Sequence, residues 1–219
     1  MDWQLLFNLD KCHILHFGKN NPCYDYHING YPLTSAEEEK DLRVYIKNDC
    51  LPTRQVTAAA LKANQVLGQL LRTFTYRDRN TFVRLYKQYM HPHLEYCVQA
   101  WCPWLQSDIT NLENVQKRAI NAISDMVGTY DEKLAALRMT SLQQRRVRGD
   151  MIQTFKIVKK IDNVDPSKYF KFSASQHPHS TRQATFINNN IVEPSYGLLQ
   201  GASKLELHRN FFSQRVVGP

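Results

Sequence analysis

QVTAAALKANQVLGQLLRTFTYRDRNTFVRLYKQYMHPHLEYCVQAW, residues 55–101, carries the pattern on which the architecture turns. In its first half Val56, Ala60, Ala63, Leu67, Leu70 and Phe74 recur at steps of four and three, which places one apolar stripe on one face of a helix. Arg54, Lys62, Gln65, Gln69 and Arg72 fall away from that stripe. The second half opens at Asp78, a good N-cap, and carries Phe82, Leu85, Tyr86 and Tyr89 before Pro92 bends or breaks it. Burying Val56, Leu67, Leu70 and Phe74 contributes roughly 6–12 kcal/mol. Ordering the backbone costs about 1–2 kcal/mol per residue. The first helix therefore cannot stand alone and must pack on the second and on segments further down the chain.

On the N-terminal side, residues 1–50 read as β-rich. Cys12–Phe17 is a short apolar run ended by Gly18, and Tyr24, Tyr26 and Ile28 alternate up to Asn29-Gly30, with Tyr31 and Leu33 beyond. Asn-Gly between such runs predicts a hairpin, because a type I′ turn needs positive φ at both central residues. After an acidic loop at Glu37, Glu38 and Glu39, the residues Leu42, Val44 and Ile46 alternate as another strand. Three or four short strands leave unpaired edges. The expectation is an antiparallel remnant of a sheet whose other strands lie upstream of Met1.

Downstream, Ser107 and Asp108 are expected to cap a third helix carrying Ile109, Leu112, Val115, Ala119 and Ile123, and a short helix is expected from Asp131 to Arg138. Ser141-x-x-Gln144 is a capping-box pattern that opens a further helix with Met151, Ile152, Phe155 and Val158 inward. From Asp162 the periodicity fades, and Pro166, His177-Pro178-His179, Asn188–Asn190 and Pro194 mark an irregular tail. The fold class read from this pattern is α+β: a small β region, then a mainly helical bundle, then the tail.

The chain has 219 residues and a formal net charge of +8, which points to a polyanionic partner. Five cysteines without a Cys-x-x-Cys pair argue against a disulfide framework and for a reducing, intracellular setting. No apolar run approaches the roughly 20 residues of a membrane span, and the N-terminus lacks the pattern of a secretory signal.

Trp3-x-x-x-Phe7-Asn8-x-x-Lys11-Cys12, then Phe17-Gly18 and Lys40-Asp41-Leu42, resemble the segment that comes after the catalytic Tyr-Ala-Asp-Asp turn in reverse transcriptases of non-LTR (LINE-type) retrotransposons. The resemblance continues through Gln55-Val56, Lys62-Ala63-Asn64, Leu85-Tyr86-Lys87, Pro92–Cys97, Gln99-Ala100-Trp101, Leu112-Glu113-x-Val115-Gln116 and Arg145-Arg146. It reaches Gly149–Ile152 and Phe155-Lys156-Ile157, and returns weakly at Thr181-Arg182 and Phe211–Val217, without the family's Trp-Asn ending. It implies that residues 1–50 are the end of a polymerase palm, 54–161 a helical thumb and 162–219 a tail. It also implies a parent activity of RNA-directed DNA synthesis in the nucleus or cytoplasm, with the upstream palm and fingers as missing partners.

That chemistry uses carboxylates holding two metal ions, Mg2+ in the parent family. The chain has no Asp-Asp dipeptide, so no cofactor is expected in it and it is expected not to polymerise DNA by itself. The Glu37-Glu38-Glu39-x-Asp41 group reads as a solvated acidic loop, since consecutive residues cannot all converge on one ion. Lys11 matches the lysine that, in polymerases of this kind, lies near the departing pyrophosphate. Leu42, Arg43 and Val44 resemble the primer-grip hairpin, where the family usually carries glycine in place of Arg43, a long side chain at a close-packed backbone position.

What such a fragment can keep is the thumb's contact with the template–primer backbone, RNA or DNA, through Lys and Arg without reading sequence. The candidates are Lys62, Arg72, Arg145, Arg146, Arg148 and Lys156. Two other readings are a co-opted helical module that binds protein and a mobile-element relic without function. Cys12, His16, Cys23 and His27 can be written as a zinc set, but strand residues four apart sit about 13 Å from one another. Trp101 and Trp104 read as core anchors, Tyr86, Tyr89 and Tyr96 as packing, Cys97 as buried, and His91 and His93 as capping or surface groups.

Overall fold

A computed structural model describes residues 7–18, 20–124, 126–173 and 197–199, together with Phe212 and Val216. Trp3, Thr181-Arg182, Phe211 and the expected loops at 177–179, 188–190 and 194 lie outside the described residues. The chain divides into two compact units, residues 1–146 and 147–219. The strands before Thr53 and the first helices belong to the first of these units.

The class is α+β. The first unit contains β1 (His13–Leu15), β2 (His27–Ile28), β3 (Tyr31–Pro32), β4 (Thr34–Ala36), β5 (Glu38–Asp41) and β6 (Val44–Lys47). β2–β3 and β5–β6 are antiparallel two-stranded ribbons, whereas β1 pairs with β4 in parallel, His13 opposite Thr34. The β2–β3 turn is the expected one, with Asn29 at φ 51° and Gly30 at φ 81°.

The β5–β6 ribbon corrects two expectations. Glu38 to Asp41 is a strand rather than a loop, and Leu42 and Arg43 are the two turn residues, at φ 44° and 70°. Both are exposed, so position 43 constrains the residue through backbone conformation rather than through close packing. Arg43→Gly is expected to raise stability by about 0.5–1 kcal/mol, because the left-handed penalty on an L-residue exceeds glycine's extra unfolded-state entropy. Urea midpoints of Arg43→Gly and Arg43→Ala measure it: only the glycine variant should move upward.

The ribbon is tied to the helices. Val44 is buried in the same apolar cluster as the helices, and the Tyr45 N–H donates to Gln55 Oε1 at 3.0 Å. α1 (Thr53–Thr73) is the central element, burying Val56, Ala60, Ala63, Leu67 and Leu70 as its periodicity requires. It packs on β6, on the segment before Pro92, on α3 (His91–Glu95) and on α5 (Gln106–Asn121).

α2 (Arg79–Leu85) starts at the Asp78 cap, whose carboxylate accepts the Thr81 N–H at 2.9 Å. It does not break at Pro92. Tyr86–Met90 forms a π-helical turn instead, the His91 N–H donating five residues back to the Tyr86 carbonyl. A proline has no N–H to donate and its ring clashes with the carbonyl four residues earlier, and the wider turn accommodates both. α4 (Val98–Trp101) comes after Cys97, which is exposed at φ 53° rather than buried. The Trp101 Nε1–H donates to the Tyr96 carbonyl at 2.8 Å, making Trp101 the expected anchor.

α5 begins one residue before Ser107, after Leu105, and Asp108 is not a cap: it is buried and accepts the Thr53 Oγ1–H at 2.8 Å. That bond joins the first turns of α1 and α5. α6 (Tyr130–Ala136) is held by a capping box between Thr129 and Glu132, and α7 (Leu142–Val158) by the expected reciprocal bonds of Ser141 and Gln144.

Around α5 runs a polar network. The Tyr86 hydroxyl donates to Gln116 Oε1 at 2.8 Å and Gln116 Nε2 donates to the Thr140 carbonyl at 3.0 Å. Glu113 accepts the Tyr130 hydroxyl and the Gln143 N–H, each at 2.8 Å.

The face of α7 is reversed relative to expectation. Leu142, Arg146, Asp150 and Ile157 are the buried residues, and Val147, Met151, Ile152 and Phe155 are exposed. An apolar count alone cannot fix the face, because polar and apolar residues both recur at helical spacing here. In the second unit Gln153 Nε2 donates to Asp162 at 2.7 Å, and Phe170 and Phe212 meet edge to face at 6.2 Å. That unit also holds β7 (Lys171–Ser173) paired antiparallel with β8 (Gly197–Leu199). Among the described residues no helix is long and apolar enough to cross a membrane.

Candidate nucleic-acid interface

Charge is distributed unevenly along the first unit. Between residues 53 and 94 stand Arg54, Lys62, Arg72, Arg77, Arg79, Arg84 and Lys87, against the single acid Asp78. Asp78 is already used as the α2 cap. Two of the cations are also engaged: Arg54 forks onto Glu38 and lies 4.1 Å from the centre of the Tyr45 ring, and Arg77 donates to the carbonyls of Ala122 and Phe74.

Lys62 and Arg72 remain exposed on α1 with no ion-pair partner among the described residues. With Gln65 and Gln69 they fall within roughly 80° of arc and span about 15 Å along the axis. α1 contains no carboxylate to neutralise this face. The expected set omits Arg79, Arg84 and Lys87, all three of which are exposed. Their signal in the sequence is the same dearth of acids, a charge count rather than a motif.

Two of the six expected contacts are committed elsewhere. Arg145 forks onto the Glu95 carboxylate through Nε and Nη2, the second bond at 2.9 Å, and this pairing raises the guanidinium's already high pKa. Arg146 is only 4% exposed, so its guanidinium is turned away from solvent. Adjacent arginines on a helix point about 100° apart, and here neither points outward unencumbered. In the second unit Arg148 and Lys156 are both exposed on α7. Of the six expected cations, Lys62 and Arg72 in the first unit and Arg148 and Lys156 in the second are thus exposed without a salt-bridge partner among the described residues.

Lys11 closes a short 3-10 turn capped by Asn8 and is exposed. Leu42 is 80% exposed and its carbonyl accepts the Tyr96 hydroxyl at 3.1 Å, while Val44 is buried. Leu42 and Arg43 thus form a hairpin tip tied to the helical part by the Tyr96 hydroxyl, with Val44 anchored in the core behind them.

The acids nearby do not fit a metal pair. Glu38 serves Arg54, and Glu39 lies 3.0 Å from His13 Nδ1 and also accepts the Lys40 N–H. Successive strand residues face opposite ways, so the Glu38 and Glu39 carboxylates diverge. Of the residues written as a zinc set, the Cys12 thiol donates to the Asn8 carbonyl, Cys23 to that of Asn21, and His16 Nε2 lies 3.2 Å from Ser35 Oγ, each occupied separately.

A cleft of about 220 Å3 is lined by Ile109, Glu113, Lys117, Tyr130, Ser141 and Gln143. Its carboxylate already accepts two hydrogen bonds, and burial together with the Glu113 bond pushes the Tyr130 hydroxyl's pKa up. The Tyr130 hydroxyl is therefore not poised to give up a proton near neutrality.

Tyr89 and Tyr96 are about half exposed rather than packed, and His91 is buried rather than a surface group. The His91 ring meets Tyr86 edge-on at 4.6 Å, and its Nε2 has no hydrogen-bond partner among the described residues. Burial pushes its pKa down from 6.5 to about 4, with Glu95 opposing and Arg145 and Lys87 reinforcing the shift. The unfolded chain takes up this proton near 6.5 and the fold resists it. The contribution is therefore full above about 6.5 and is lost as pH falls toward 4. The loss is expected to reach about 2 kcal/mol. Thermal melts between these limits check it: His91→Phe keeps the ring contact and should flatten the decline.

Comparison of the chain with models of known families, with curated proteins and with solved structures finds no match.

Proposed function

We propose that this chain is the palm end and thumb of a non-LTR reverse transcriptase, and that its own activity is sequence-independent binding of a nucleic-acid backbone. The observation that carries the binding is the acid-free α1, with Lys62 and Arg72 exposed on one face. Arg148 and Lys156 supply two further unencumbered cations. The family assignment rests on the ordered residue pattern from Trp3 to Ile157.

Each ammonium or guanidinium displaces a counterion from a phosphate, so the free energy comes from released ions and carries no sequence information. Template and primer, RNA or DNA, are the ligands, and the remaining palm and fingers of the polymerase are the protein partners, in the nucleus or cytoplasm. RNA-directed DNA synthesis belongs to the parent enzyme.

Gel-shift titration of a primer–template duplex is the test. With four phosphates neutralised, affinity should fall roughly 150-fold between about 50 and 200 mM salt. Binding that ignores salt, or no binding at the lower concentration, would overturn the proposal.

A further inference from the structure

We propose that the outer face of α7 docks an amphipathic helix of another protein whose apolar stripe is bordered by Asp or Glu. From Val147 onward this helix lies within the second unit. Val147, Met151 and Phe155 are 57%, 66% and 57% exposed, and Ile152 beside them is 47% exposed. At steps of four Val147, Met151 and Phe155 form one continuous ridge, with Ile152 three residues from Phe155 beside it. A contiguous apolar patch of the order of a few hundred Å2 is the size that marks an interaction surface.

Charge selects the occupant. Arg148 and Lys156 stand with Ile152 in the row that flanks the ridge on one side, while the acid of this helix, Asp150, is buried on the opposite side. A helix laid along the ridge with carboxylates facing that border satisfies both features, in the manner of helix-in-groove recognition. A second copy of the chain would bring the same basic border and another +8 net charge. Residues 174–219 offer Glu193 and Glu206 against Arg182, Lys204, Arg209 and Arg215, so the chain's own tail does not supply the acidic border either. The inference shares Arg148 and Lys156 with the backbone-binding proposal but stands on Met151, Ile152 and Phe155, which that proposal does not use.

The probe is a labelled helical peptide of about 20 residues. It carries leucines at steps of three and four with Glu along one border, and its twin carries Lys at those border positions. Anisotropy titration against the full chain should show the Glu peptide binding at least about tenfold more tightly than the Lys peptide. Phe155→Ser should weaken it about tenfold with an unchanged melting curve, since the side chain is exposed. The same variant should leave the salt dependence of duplex binding untouched, which separates failure of this inference from failure of the backbone reading. Equal binding of the two peptides, binding of neither, or indifference to Phe155→Ser overturns it. So does tighter association with phosphatidylserine vesicles than with the Glu peptide, which would make the face a membrane contact.

Discussion

The variant carrying Lys62→Ala, Arg72→Ala, Arg148→Ala and Lys156→Ala is expected to lose roughly four orders of magnitude in duplex affinity at about 50 mM salt, some tenfold per contact. Gel shifts of the wild-type chain and the variant measure it. Each single substitution should reduce the slope of log affinity against log salt by about 0.9. All four side chains are exposed, so the thermal midpoint should hardly change. Arg145→Ala supplies the contrast. It strands the half-buried Glu95 carboxylate and should lower stability by about 1 kcal/mol while leaving the salt slope in place. A quadruple variant that binds like the wild type would show that other cations, Arg79, Arg84 and Lys87 first among them, make the contacts, or that there are none.

Gln116→Met should cost about 3 kcal/mol, the largest single-site effect expected on the fold. Gln116 is fully buried and holds two partners from different parts of the chain, Tyr86 and Thr140. Methionine matches its volume but neither accepts from the tyrosine nor donates to the carbonyl. The Tyr86 hydroxyl, on a residue only 2% exposed, then has no water to turn to, and its desolvation is uncompensated. Burial already keeps that hydroxyl protonated well beyond its ordinary range. Adding Tyr86→Phe removes the stranded group. The double variant should therefore be less damaged than the sum of the singles, a coupling that denaturant-derived double-mutant cycles read directly. Strict additivity would mean that the bond contributes nothing.

Much of the architecture was legible in particular residues. The stripe from Val56 to Leu70, the Asp78 cap, the Asn29-Gly30 turn and the Ser141–Gln144 box each rest on local geometry, and each is found where spacing placed it. The exposure of Lys62 and Arg72 follows from the same helical period. Arg145 and Arg146 were not legible, because whether a cation faces water or an acid fifty residues away depends on which helices become neighbours. The face of α7 fails for a related reason: Val147, Met151 and Phe155 repeat as regularly as Leu142, Arg146 and Asp150, and burial chose the mixed row.

Local rules thus determined the helices, their caps, the tight turns and the scarcity of acids along residues 53–94, since each depends on neighbours within a few positions. Tertiary contact alone decided that Asp108 bonds Thr53, that His91 is sealed against Tyr86, that Arg145 is paired with Glu95 and that Arg146 is buried. Desolvation and long-range pairing are properties of the assembled core, and periodicity along one strand of sequence carries no record of what will stand opposite.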